Sequence, residues 1–184
     1  MRRFGLIGRT LGHSFSAKYF TEKFECEGLS AECRYDLFEL PEISCVEDFI
    51  SATEYLVGFN VTIPYKQQII PYLTDLSDEA RNIGAVNCVK VTPDGLEGYN
   101  TDVVGIRKSL EGVALEGAKA IVLGTGGASK AVQYVLREGG AEVKVVSRTK
   151  GAADVTYADL TEEIVRNSDI IVNATPIGMF PHID

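Results

Sequence analysis

Three polar side chains between positions 66 and 102 could serve a proton transfer, an amine, a carboxylate and a carboxamide. Lys66 closes Asn60-Val61-Thr62-Ile63-Pro64-Tyr65-Lys66, where a strand end passes through a proline into what reads as the start of a helix over 64–72. The positive end of a helix dipole disfavours an ammonium, so a lysine in that first turn is set up to give or take a proton rather than to keep the chain soluble. Asp102 follows Asn100-Thr101 and can either cap a helix over 101–111 or hydrogen-bond a ligand and orient the amine. Asn87 is its expected neighbour: Thr92-Pro93-Asp94-Gly95 predicts a hairpin, and a two-residue Asp94-Gly95 turn sets Asn87 opposite Asp102. Ser14 and Ser16, in Gly12-His13-Ser14-Phe15-Ser16, can cap a helix over 15–27. They are equally fit to donate hydrogen bonds to a carboxylate held at that helix N-terminus.

A second constellation lies in the other half. Ala120-Ile121-Val122-Leu123 runs into Gly124-Thr125-Gly126-Gly127-Ala128-Ser129, and Ala131, Val132, Val135 and Leu136 follow at helical spacing. A glycine-rich turn between strand and helix lets the backbone approach a pyrophosphate, and the amides at the helix N-terminus supply positive charge. Ser129 takes the place of the third glycine of the usual G-x-G-x-x-G pattern, which weakens the signal. The next strand ends in Ser147-Arg148-Thr149-Lys150, which offers cations and hydroxyls where NAD-binding chains carry a carboxylate. That composition predicts NADP as the dinucleotide. A third strand leads into Asn173-Ala174-Thr175-Pro176-Ile177-Gly178-Met179, a loop expected to border the nicotinamide on the same side as the glycine turn.

These residues need a scaffold, and the pattern of the chain predicts one. Strands are expected near 3–8, 31–38, 56–62, 86–91, 95–100, 119–124, 142–147 and 169–173. Helices are expected near 15–27, 44–53, 64–72, 77–83, 101–111, 128–139 and 158–167. Alternation of this kind is the mark of an α/β protein with parallel strands covered by helices. Glu111-Gly112 and Glu116-Gly117 break the chain before the second constellation, so two domains are expected, 1–101 and 102–184. With 184 residues and 45% hydrophobic side chains, there is enough apolar material for packed cores. The net charge of −8, with basic residues scattered, argues against nucleic acid or an anionic membrane as partner. Cys26, Cys33, Cys45 and Cys88 form no C-x-x-C, and His13 and His182 are far apart, so no metal is expected. No apolar stretch approaches the roughly 20 residues that span a bilayer, and a cytoplasmic protein is expected.

Taken in order, Gly12 to Ser16, Asn60 to Lys66, Gly84-Ala85-Val86-Asn87, Gly98-Tyr99-Asn100-Thr101-Asp102, Gly124 to Gly127 and Asn173 to Met179 resemble the shikimate dehydrogenase family. The resemblance implies an N-terminal α/β substrate domain followed by a Rossmann-like NADP-binding domain. It implies NADPH-dependent reduction of 3-dehydroshikimate to shikimate, on the route to aromatic amino acids, by a monomer or homodimer. Carried onto this chain, it makes Lys66 and Asp102 catalytic. Ser14 and Ser16 become ligands of the substrate carboxylate, and Thr62, Lys66, Asn87 and Asp102 ligands of its hydroxyls and reacting oxygen. For the cofactor it implies Asp78, Gly124, Gly126, Gly127, Ala128, Ser147, Arg148, Thr149 and Thr175, with Ser147 standing where the family usually has Asn. A dual-specificity quinate/shikimate dehydrogenase and a ligand-binding fragment without turnover are the neighbouring alternatives. Two departures stand out. Gly151-Ala152-Ala153 leaves almost no room for the family's helix after Lys150, and the family's pattern continues past the equivalent of Asp184 to a glutamine ligand. The second domain is therefore expected to be truncated, with an edge and apolar surface uncovered.

Overall fold

The computed structural model describes residues 1–149, 151 and 153–178. Lys150 of the expected cation cluster and Met179 of the expected loop lie outside the described residues. The chain divides into two compact units, Met1–Asn100 and Thr101–Asp184, each α/β as the alternation predicts.

The first unit carries six strands: β1 (Arg2–Gly8), β2 (Cys33–Glu39), β3 (Leu56–Val61), β4 (Asp75–Leu76), β5 (Cys88–Thr92) and β6 (Gly95–Tyr99). Its helices are α1 (Ser16–Cys26), α2 (Val46–Ala52) and α3 (Asp78–Ile83). The sheet order is β2-β1-β3-β5-β6-β4. β2, β1 and β3 are parallel, β5 runs against β3, and β6 runs against β5. The central β1 is buried from Gly5 to Gly8, the continuous apolar run expected of a strand covered on both faces. One face packs Ile7, Val46, Phe49, Phe59, Val61, Tyr65, Ile69 and Val89 into a core. On the other, Ala17, Phe20 and Phe24 of α1 lie over Leu6, Leu11 and Tyr35. α3 has a Ser77 cap, whose hydroxyl accepts from the Ala80 amide at 3.2 Å, and it ends on Gly84 at φ +67°.

The second unit contains α4 (Asp102–Ser109), β7 (Lys119–Leu123), α5 (Gly127–Glu138), β8 (Glu142–Ser147), β9 (Val155–Thr156), α6 (Glu162–Arg166) and β10 (Ile170–Asn173). All four strands are parallel, in the order β10-β7-β8-β9. The chain winds outward from β7 through β8 to β9 and then returns to the other side of β7. That reversal marks the carboxyl ends of β7 and β10 as the place where open parallel sheets take ligands. Val132 and Leu136 of α5 seal one face against Ala120 and Val122. β9 begins at Val155, and no helix lies between it and Ser147 among the described residues.

Two expectations are corrected. Residues 62–69 form a succession of turns and 70–72 a single 3-10 turn, in place of an α-helix over 64–72. Pro71 is the physical reason: it has no N–H for the Gln67 carbonyl, and its ring crowds the preceding turn. The Tyr65 amide donates to the Thr62 carbonyl and the Tyr72 amide to the Ile69 carbonyl, three residues apart, while the Ile69 amide reaches the Tyr65 carbonyl four residues back. Lys66 stands in a turn, with no helix dipole behind it. The hairpin also differs, pairing Thr92 with Gly95 and Cys88 with Tyr99, so its two turn residues are Pro93 and Asp94. Proline at the first turn position fixes φ there, while Gly95 takes φ +132° as the first strand residue. A shift of two keeps every side chain on its expected face but brings Asn100, rather than Asp102, level with Asn87.

Candidate functional site

β1, β3 and β6 all end at one rim of the first sheet, and antiparallel β5 begins there. The loops that leave this rim carry Ser14 and Ser16 after β1, Thr62 and Lys66 after β3, Asn87 just before β5, and Asn100 just after β6. Backbone hydrogen bonds knit them together. The Thr62 amide donates to the Ile7 carbonyl at 2.9 Å and the Val61 amide to the Asn87 carbonyl at 2.9 Å. The Val86 amide donates to the Lys66 carbonyl at 2.7 Å, and the Asn87 amide to the Tyr99 carbonyl at 3.0 Å. Thr62, Lys66 and Asn87 are thus brought to one place. Asn100 is 3% exposed, and its Nδ2 donates to the Ala85 carbonyl at 2.9 Å, which fixes the exit of β6 beside them. Asp102 follows Asn100 by two residues, at most roughly 7 Å of chain. It is the first residue of α4.

Tyr65 anchors the Lys66 turn. It is completely buried, and its hydroxyl donates to the Leu40 carbonyl at 2.6 Å, tying the end of β2 to the turn after β3. Ser14 and Ser16 are positioned from the other side. The Glu39 carboxylate accepts from the Leu11 amide at 2.6 Å, and the Ser14 amide donates to the Leu11 carbonyl at 2.8 Å. The Ser14 hydroxyl accepts from the Ser16 amide at 3.2 Å, so it closes the start of α1 as a cap would.

Below Ser16 lies a residue that the sequence did not single out. Phe20, one helical turn beyond Ser16, stacks on Tyr35 with ring centroids 4.4 Å apart. The Tyr35 hydroxyl donates to Asn60 Oδ1 at 2.8 Å, and Asn60 Nδ2 donates to the Asn87 carbonyl at 3.3 Å. Burial pushes the Tyr35 phenol well above the usual tyrosine range. Cys88, next along the rim, is also raised by burial. The available signal was the burial alternation of β2, in which Cys33 and Tyr35 face inward and Arg34 does not. A tyrosine on a buried face needs a partner for its hydroxyl.

Asp78 is placed apart from these residues. It is exposed, opens α3 next to edge strand β4, and is three strand positions from β3, on the order of 14 Å.

In the second unit, Gly124 takes φ +107°, and a Cβ there would come within 2.9 Å of the Ala174 carbonyl oxygen. The Gly124 amide donates to the Val146 carbonyl at 2.8 Å and the Ala174 amide to the Leu123 carbonyl at 2.9 Å, so the ends of β7, β8 and β10 meet at this turn. Gly126 caps α5 without a side chain, and a Cβ on it would meet nothing within 4 Å. Gly127 and Ala128 begin the helix. The open space over an uncapped helix N-terminus fits the pyrophosphate of a dinucleotide. Ser129 explains the departure from the glycine pattern. It is buried, its hydroxyl donates to the Gly124 carbonyl at 2.6 Å, and it accepts from Gln133 Nε2 at 2.9 Å. Where a third glycine would bring helix and strand close, a serine here locks the turn to the helix.

Ser147 ends β8 at the same rim. Arg148 and Thr149 are exposed beyond it, and among the described residues Arg148 has no carboxylate partner. Thr175 lies in a turn held by Asn173, whose Oδ1 accepts from the Thr175 hydroxyl at 2.6 Å and whose Nδ2 donates to the Ile177 carbonyl at 3.1 Å. The Thr175 methyl borders the space that a Cβ on Gly124 would need. A concavity of about 730 Å³, lined in part by Lys119, Glu142, Lys144 and Glu163, opens at the opposite rim of this sheet and contains none of the expected ligand residues. Among the described residues no group of histidine, cysteine and acidic side chains could hold a metal ion, and no helix is long and apolar enough to cross a membrane.

Residues 6–89 match the sequence profile of the shikimate dehydrogenase substrate binding domain. A shikimate dehydrogenase (NADP(+)) from Clostridium beijerinckii is 40% identical over 198 residues, an alignment that takes in 100% of this chain and 71% of that protein. The crystal structure of shikimate dehydrogenase 1 from Peptoclostridium difficile matches with a TM-score of 0.84 at 35% identity, covering 100% of this chain and 70% of that one. A shikimate 5-dehydrogenase from Thermus thermophilus, solved in complex with NADP(H) and shikimate, matches with a TM-score of 0.82 at 34% identity, covering 97% of this chain and 70% of that one. The chain therefore spans about 70% of the length of these relatives.

Proposed function

Because the chain belongs to the shikimate dehydrogenase family of NADP-dependent oxidoreductases, we propose that it reduces 3-dehydroshikimate to shikimate with NADPH in the cytoplasm. Residues 1–101 bind the substrate and 102–184 the dinucleotide. What supports this most directly is the meeting of Thr62, Lys66 and Asn87 on one sheet rim, with Ser14 and Ser16 on the neighbouring loop.

The serine hydroxyls receive the substrate carboxylate. Thr62 and Asn87 fix the ring hydroxyls, which sets the carbonyl oxygen toward Lys66. The Lys66 ammonium gives its proton to that oxygen during reduction, and the neutral amine takes it back during oxidation. Asp102 hydrogen-bonds the adjacent hydroxyl and holds the amine in line. Gly124, Gly126, Gly127 and Ala128 receive the pyrophosphate, Ser147, Arg148 and Thr149 the 2′-phosphate, and Thr175 borders the nicotinamide. Asp78 is the outlying member of the cofactor set. When bound, the nicotinamide supplies the hydride.

The test is a spectrophotometric assay of NADPH with 3-dehydroshikimate, beside calorimetry of shikimate and NADP+. Replacing Lys66 by Ala should cut turnover by about 10²- to 10⁴-fold while substrate affinity changes much less. Equal losses of both would reduce Lys66 to a binding residue. Binding without turnover in the wild-type chain would favour a ligand-binding role, and quinate as a second substrate in the same assay reads out dual specificity.

A further inference from the structure

We propose that Ser129 is a positioning residue for the dinucleotide: its hydroxyl holds the Gly124–Thr125 peptide with the carbonyl turned toward α5, which keeps that oxygen off the side of the turn that receives the phosphates. This rests on the reading of the turn from Gly124 to Ala128 as the pyrophosphate site and extends it to a side chain that is completely buried.

The directions of the hydrogen bonds follow from what each atom can do. The Gly124 carbonyl can only accept, so the single Ser129 hydroxyl proton goes to it, at 2.6 Å. The Ser129 oxygen then has only lone pairs to offer, and Gln133, one helical turn further, meets it with Nε2 at 2.9 Å. That leaves Gln133 Oε1 to accept from Arg137, another turn on, at 3.2 Å. Ser129, Gln133 and Arg137 therefore form one row along α5, with a fixed polarity that ends on the glycine turn.

Gly124 is pinned from both sides. Its amide donates to the Val146 carbonyl of β8 at 2.8 Å, and its carbonyl is taken by α5. A trans peptide is planar, with C=O and N–H on opposite sides, so turning the Gly124 carbonyl toward α5 turns the Thr125 N–H away from it. Glycine does not itself hold that orientation, because at φ +107° there is no Cβ to obstruct rotation of the peptide that follows. A rotated peptide would swing its carbonyl oxygen from the helix to the open side of the turn, where its partial charge repels a phosphate. The buried hydroxyl removes that alternative.

The test is calorimetry of NADP+ with the full chain and its variants, below the thermal midpoint of each, beside KM for NADPH and kcat with 3-dehydroshikimate. Ser129→Ala should weaken NADP+ binding and raise the NADPH KM about fivefold, the worth of one hydrogen bond, with a much smaller change in kcat. Gln133→Glu is the sharper variant, because a carboxylate can only accept. It draws the serine proton away from Gly124 while still pairing with Arg137, so it should weaken NADP+ about as much as Ser129→Ala. Gln133→Met leaves the serine proton on Gly124 and should lose much less. In the Ser129→Ala background Gln133→Glu should add nothing further, whereas plain repulsion between the new charge and the dinucleotide would persist there. If Ser129→Ala does not yield folded protein, the contrast between Gln133→Glu and Gln133→Met decides. Unchanged NADP+ affinity in Ser129→Ala, a loss from Gln133→Glu that persists without the serine, or equal losses from Gln133→Glu and Gln133→Met would each overturn the role of Ser129 and leave the proposed cofactor site standing. A wild-type chain that does not bind NADP+ would overturn both.

Discussion

At the scale of single residues, most of the candidate site was visible as residue types at particular spacings, while its support was not. Ser14, Ser16, Lys66 and Asn87 could be picked out because each is polar where the chain leaves or enters a strand. Tyr35 and Tyr65 could not, since an inward-facing tyrosine in a strand looks like core until its hydroxyl partner is known. Both partners come from distant segments: Asn60 is 25 positions from Tyr35, and Leu40 is 25 from Tyr65. Tyr35 also leaves a signature in stability. Burial keeps its phenol protonated in the folded chain well past the ordinary tyrosine value of about 10. Below that value both states hold the proton and its full contribution to stability is present. Above it the unfolded chain gives up a proton that the folded chain keeps, so stability drains away as the pH climbs. The thermal midpoint of Tyr35→Phe should fall less steeply than that of wild type between about pH 9 and 11. Parallel slopes would mean that the phenol is not buried as described.

At the scale of elements, strands were easier to read than the turns between them. The eight expected strands all form, some as apolar runs and others, such as β2, by alternation of inward and outward side chains. The helix expected over 64–72 fails on Pro71, a local cost that the apolar spacing concealed. The hairpin register moved because proline and glycine each had a claim on the turn, and Gly95 went to the strand. The glycine turn allows a sharper test at this scale. Gly124→Ala must place a Cβ at φ +107° against the Ala174 carbonyl, and it should cost about 1–3 kcal/mol in denaturant unfolding. Gly126→Ala has φ −74° and open space, so stability should hold while NADP+ affinity, read by calorimetry, falls. The opposite pattern would mean that Gly126 serves the fold and not a ligand.

At the scale of the whole molecule, each unit has its own core. The clusters around β1 and β2 draw only on residues up to Leu96, and the one around β7 only on residues from Ile106 onward. Residues 1–100 made alone should therefore unfold cooperatively in a thermal scan, and a broad, featureless transition would refute their independence. Two domains were expected from the Gly-rich break at 111–117 and the change of strand pattern, whereas the chain divides earlier, after Asn100. The order of the first sheet was not legible, because mixed pairing places β5 beside β3 and the two-residue β4 at an edge, which no local pattern announces.

The antiparallel run of β5 against β3 and β6 has a practical corollary. It sends Pro93 and Asp94 to the far end of the sheet from Ser14, Lys66 and Asn87, and both are exposed. A fluorophore or a surface-immobilisation handle grafted at Asp94 would sit at the far end of the first sheet from the rim that carries Ser14, Lys66 and Asn87.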